Sequence, residues 1–224
     1  MRCFLMANKS FLIKTTNIVW SLFVVGICAL LTSGILIFLL LFVKFHLITL
    51  PLYLIAFLLI GPTMGAIFQT IFKMLFETEI RVVRKYFYYY KKDFKDSLKL
   101  WIPYSVLILI LCADIDFLAS NEKGAYLLPM LFLILLLSMI SYVYSLILYS
   151  RFIIRMRDII KYSLYLVINR PVQSLSIVIL IFILYQSFKY FGNFAIFWGV
   201  PMFAACTVLL VRNVLLQIEM KYVQ

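Results

Sequence analysis

The sequence predicts an all-α polytopic membrane protein: six transmembrane helices, both ends inside, and two basic amphipathic cytoplasmic helices. Two observations carry that expectation. First, 66% of the 224 residues are apolar and only 13% are charged, with a mean hydropathy of +1.08. Ordinary globular chains are roughly 25% charged, and so little polar surface could not coat so large a core in water. Second, the net charge of +12 is distributed by position. Basic residues of a membrane protein collect on its cytoplasmic side, so the charge is read as topology and nucleic acid is excluded as a partner.

A membrane-crossing helix needs about 20 mostly apolar residues. Six stretches qualify, at about 18–43, 50–76, 98–117, 125–150, 172–191 and 195–218, and they make residues 1–224 a single integral membrane domain. The first follows Arg2, Lys9 and Lys14, which resemble the charged start of a signal peptide. The apolar run from Ile18 to Val43 is far longer than a typical h-region of about 7–15 residues, and no A-x-A cleavage site follows. A retained span is expected.

Span two contains Gly61-Pro62-Thr63-Met64-Gly65. Pro62 lacks a backbone donor and should kink the helix near mid-membrane. Gly61 and Gly65 form a small-xxx-small step that permits close helix approach. The site is either a packing kink or a ligand cavity at a broken helix.

A cytoplasmic helix is expected next, over about 79–97. Within Glu79–Lys99, residues Val83, Phe87, Tyr90, Phe94 and Leu98 recur at helical spacing and mark an apolar face. Arg84, Lys85, Lys91, Lys92 and Lys95 are candidates for contact with lipid phosphates. The run Tyr86-Phe87-Tyr88-Tyr89-Tyr90 encircles the helix rather than keeping to one side. Aromatic residues dominate many protein interfaces, so Phe87, Tyr88, Tyr89, Tyr90 and Phe94 are candidate partner-binding residues. Some of these rings should pack on other protein, from this chain or from a partner.

Span three ends near Asp114 and Asp116, which point in different directions on a helix and read as cap or topology residues. After span four, a second cytoplasmic helix is expected over about 151–169, with Ile153, Met156, Ile160, Leu164 and Val167 as its apolar stripe. Asn169-Arg170-Pro171 should end it, because proline disfavours helical geometry in the residue before it and suits the first turn of the next helix. Asn169 and Pro171 join the partner-binding candidates. Sliding the sequence by 77 residues aligns Arg84 with Lys161 and Ser97-Leu98 with Ser174-Leu175, which suggests an internal repeat.

With these spans, eighteen of the 21 basic residues fall on one side, and only Lys44, Lys123 and Lys189 on the other. Both termini should therefore be cytoplasmic. The outer connections, around His46, around Asn121 and Glu122, and at Gly192-Asn193, are short.

Catalytic chemistry finds little material. His46 is the only histidine, so any mechanism or metal site needing two is excluded. Cys3, Cys28, Cys112 and Cys206 lack metal-site or disulfide spacing. Neither a Gly-rich phosphate loop nor a G-x-S-x-G motif occurs. No span carries a charge near its middle, where ion-coupled transport usually leaves one. Thr32-Ser33, Gln69, Ser138, Ser141 and Thr207 are read as helix-packing groups. We expect no enzyme, no catalytic or metal-binding residue and no cofactor.

Four motifs, in order, resemble one family. Asn17-Ile18-Val19-Trp20 is similar to an N-L-L-W pattern in span one, and Gly61-Pro62-Thr63 to a G-P-A-T pattern in span two. Phe87 through Phe94 resembles the aromatic-basic stretch that follows, and Ile168-Asn169-Arg170-Pro171 the asparagine-proline step before span five. Together they resemble the YesL-like bacterial membrane proteins, a domain of unknown function, from about Lys14 to Gln217. Thr63-Met64-Gly65 departs from that family's alanine-rich run, and Met156-Arg157-Asp158 from its arginine-tyrosine pair. The resemblance implies a multi-pass protein of the bacterial cell membrane. It also implies a non-catalytic accessory subunit of a carbohydrate ABC importer, with the permease subunits, and further the ATPase, as partners beside membrane lipid. An independent small-solute channel or facilitator, and a signalling or assembly factor linked to sugar uptake, are the alternatives.

Overall fold

The computed structural model describes residues 2–43, 49–76, 81–119, 126–152, 154–192 and 195–222. Among them there is no strand. The chain is an all-α polytopic membrane protein. His46, Glu79, Asn121, Glu122, Ile153 and Asn193, each named above, lie outside the described residues.

Helix α1 (Arg2–Phe42) begins well before its apolar part, Thr16–Ile35. The second span is divided into α2 (Leu50–Leu58) and α3 (Ile60–Phe76). The break has a covalent cause: Pro62 has no N–H to return to the Leu58 carbonyl, so the helical ladder lacks that rung. Leu59 donates to the Ile55 carbonyl at 3.2 Å, whereas the bond from Thr63 to the Leu59 carbonyl is stretched to 3.4 Å.

The helix expected over 79–97 is two elements. Helix α4 (Val82–Lys92) stops at Asp93, and α5 (Phe94–Ala119) starts immediately after it, so the third span begins earlier than expected. Helices α6 (Leu128–Arg151) and α7 (Met156–Asn169) follow. Helix α8 (Pro171–Phe191) then starts on its proline, and α9 (Ala195–Tyr222) closes the described chain. Among the described residues, five segments are long and apolar enough to cross a membrane: Thr16–Ile35, Pro51–Phe76, α5, α6 and α8. In α9 the apolar stretch is the shorter Phe197–Arg212.

The hub is α3, which packs on α1, α4, α5, α6 and α9. It is buried from Gly61 to Phe72 on all but Met64. A helix buried all round needs small residues where a neighbour's backbone comes close. A Cβ on Gly61 would overlap the side chain of Trp101, 2.7 Å from its Cγ, and one on Gly65 would overlap the Ser97 hydroxyl. Trp101 and Ser97 are four residues apart on α5, matching the spacing of the glycines. Likewise a Cβ on Gly26 would strike the backbone carbonyl of Phe197, where α1 meets α9. Helix α8 lies at the periphery, packed mainly on α9, with Leu175, Ile179, Phe182 and Ile183 exposed. Such a face suits lipid tails.

Candidate functional site

The two short helices, α4 and α7, are where structure and sequence differ most. An interfacial helix would keep all its polar groups toward water. Instead α4 lies against α3 and α1, and Tyr86 is completely buried. The Tyr86 and Thr32 hydroxyls are 2.8 Å apart. Thr32 also bonds the Cys28 and Ala29 carbonyls, and the Thr63 hydroxyl donates to it at 3.4 Å. The hydroxyls of α1, α3 and α4 thus close one latch. Burial pushes the Tyr86 phenol far above the ordinary tyrosine range, although the Thr32 hydrogen bond pulls the other way.

Helix α7 repeats the plan with other residues. Ser163 is fully buried, and its hydroxyl lies 3.1 Å from the Tyr104 hydroxyl and 3.0 Å from that of Ser141. Tyr104 also meets Ser141 at 2.9 Å and Ser145 at 2.7 Å. One phenol of α5, two serines of α6 and one of α7 therefore share a buried network. Each member is hydrogen-bonded, as burial in a low-dielectric interior demands. These are neutral hydroxyls, arranged to fasten helices together.

The 77-residue shift relates parts of the two units. It carries Tyr86 to Ser163, Ser97 to Ser174 and Leu100 to Ile177, and all six are buried. It also carries the end of α4 to the end of α7 and the start of α5 to the start of α8. In both units the short helix packs chiefly on the span before it, α4 on α3 and α7 on α6. Ser174 ties the second unit together, donating to the Val167 carbonyl at 3.1 Å and lying 3.3 Å from the Tyr144 hydroxyl.

The buried faces differ from the expected stripes. In α4 the inward residue is Tyr86, with Val82, Phe87 and Tyr90 partly buried around it, while Val83 is 50% exposed. In α7 the inward residues are Ile159, Ser163, Leu166 and Val167, and Leu164 is exposed. Both faces are rotated by about one residue, because hydroxyl contacts fix them and hydrophobic periodicity does not register these.

Among the partner-binding candidates, Phe87, Tyr90 and Phe94 belong largely to the fold. Tyr90 stacks on Tyr86 at 6.4 Å and meets Phe94 edge-on at 5.6 Å. Tyr88 is exposed and meets the half-buried Tyr89 edge-on at 5.5 Å, with the Lys92 ammonium 5.5 Å above the Tyr88 ring. Arg84, Lys91, Lys92 and Lys95 are exposed and Lys85 is half-buried. Asn169 donates to the Tyr165 carbonyl at 3.2 Å, and Pro171 is exposed at the start of α8. Gly61, Pro62 and Gly65 are buried, and the Trp101 indole donates to the Phe57 carbonyl at 3.0 Å beside the helix break. Trp101 thus packs beside the break, against Gly61. Among the described residues no group of three His, Cys, Asp or Glu gathers as metal ligands.

Helix α1, both halves of span two, α4 and nearly all of α5 form one continuous stretch of sequence ending in the first latch unit. Over residues 13–115 the chain is similar to the family described as Protein of unknown function, DUF624. The expected resemblance to a domain of unknown function is shown there. The DUF624 match stops before α6. No curated protein and no solved structure matches the chain.

Proposed function

We propose that this protein is a non-catalytic accessory subunit of a carbohydrate ABC importer in a bacterial cell membrane. In this reading six spans cross the membrane, both termini are cytoplasmic, and the chain holds or regulates the permease pair. The observation that carries the proposal is the face of α4 left over once Tyr86 is latched inward. Tyr88 and Tyr89 are neither core nor span, and they offer the rigid aromatic area that protein-docking surfaces use, while Arg84, Lys91 and Lys92 beside them serve lipid phosphates. The YesL-like resemblance supplies the partner class.

Replacing Tyr88 and Tyr89 with serine should reduce recovery of permease subunits with the tagged protein by about tenfold, since two interface aromatics are worth at least ~1.4 kcal/mol together. Membrane insertion should be unchanged. Exchanging Lys91, Lys92 and Lys95 for glutamine should mainly weaken lipid attachment. Full partner recovery with the tyrosine variant, and loss with the lysine variant, would make α4 a lipid anchor instead.

A further inference from the structure

The corner between α7 and α8 carries the apolar surface of a span onto a short helix. Leu164 and Ile168 on α7, then Val172, Leu175 and Ile179 on α8, recur every three or four residues. All five are exposed, Ile168 by 78% and Val172 by 73%. They are spare to the packing of the bundle, because Ile159, Ser163, Leu166 and Val167 already form the buried face of α7. On the same stripe, one and two turns before Leu164, stand the exposed cations Lys161 and Arg157, with exposed Tyr165 beside them. The corner between α4 and α5 is built otherwise, for Lys91, Lys92 and Lys95 are exposed there.

We propose that the outer face of α7 is seated in an anionic lipid surface, with Leu164 and Ile168 against the tails and Arg157 and Lys161 on the phosphates. Two observations commit the face to lipid. The first is continuity: its apolar stripe runs into that of α8, the least buried of the five described segments long enough to cross a membrane. Lipid tails that cover α8 therefore reach α7 without a gap. The second is charge complementarity. The exposed charges on the stripe are both positive, and Asp158, the one acid of α7, is half-buried. A helix that sets apolar residues beside cations, with a tyrosine between them, suits the headgroup boundary of an anionic leaflet. Ser163 meets Tyr104 of α5 and Ser141 of α6, so a lipid grip on α7 also holds those spans. This inference concerns α7 alone and stands whether or not α4 docks on an importer.

The test attaches a fluorophore to single cysteines of the otherwise cysteine-free, full-length protein in phosphatidylcholine vesicles that carry phospholipid brominated along its tails. The probe at Ile168→Cys should be quenched by the tail bromines, and one at Tyr88→Cys on α4 should not. With the bromines on phosphatidylglycerol, quenching at Ile168→Cys should report roughly fivefold tighter association than with the bromines on phosphatidylcholine. Adding Arg157→Gln and Lys161→Gln should bring the two lipids level. Both residues are exposed, and an unchanged gel-filtration profile checks that the variant is folded. The assignment is overturned if the Ile168→Cys probe escapes quenching, which would put the face in water or under another protein. It is overturned too if quenching falls as protein density in the vesicles rises, because a second copy would then be the occupant. A double glutamine variant that keeps its preference for phosphatidylglycerol would equally remove the cations from the site.

Discussion

At the scale of single residues, the glycines and the latch hydroxyls make different demands on their neighbours. Gly61 faces the Trp101 side chain with no room for a methyl group, and Trp101 is itself held by the Phe57 carbonyl. Overpacking of this kind costs about 1–3 kcal/mol. Tyr86→Phe removes one hydroxyl bond, yet Thr32 keeps its bonds to Cys28 and Ala29. Interhelical hydrogen bonds in membranes average only about 0.6 kcal/mol. Gly61→Ala should therefore lower the melting temperature in detergent more than Tyr86→Phe does. The opposite order would mean that the latch, and not the α3–α5 contact, dominates the bundle. The Gly61–Gly65 step was legible in the sequence because small residues four apart have one common use in a membrane helix. Tyr86 and Ser163 were not, since an aromatic inside a tyrosine run and a serine inside a charged helix give no hint of hydroxyl partners 22 to 59 residues away.

At the scale of elements, the prolines and the spacing of apolar runs fixed most boundaries in advance. Pro171 starts α8 as expected, and Pro62 breaks span two through its missing donor. The α4–α5 break at Asp93 was hidden because charged and aromatic residues run through it without glycine or proline. The short helices were legible as amphipathic helices. Their docked position was not, because a helix that buries hydroxyls on its bundle side has the same hydrophobic pattern as one lying on a membrane surface. Pro62→Ala restores the donor to Leu58 and should straighten α2 into α3, pulling Phe57 away from the Trp101 indole. We expect lower abundance of folded protein in the membrane, read by fluorescence-detected gel filtration, with sugar selectivity of the host cell unaltered. Normal abundance with altered selectivity would put a solute site at the break.

At the scale of the whole molecule, composition and the lopsided distribution of lysine and arginine carry the membrane reading. Arg151 and Arg212, which the charge count assigns to one side, meet over the Phe72–Phe76 pair of α3. With both termini inside, a cysteine placed at Asn121 of an otherwise cysteine-free variant should react with an impermeant maleimide on intact cells. One at Lys9 should react only after lysis. The reverse pattern would invert the topology and remove α4 from the cytoplasm, and the docking proposal with it. The central claim is that the chain works as part of an importer, and its most direct test is purification of the tagged protein from native membranes in mild detergent. The account predicts stoichiometric recovery of two permease subunits, with the ATPase as a further component. A protein that elutes alone and conducts sugar when reconstituted into vesicles would contradict it.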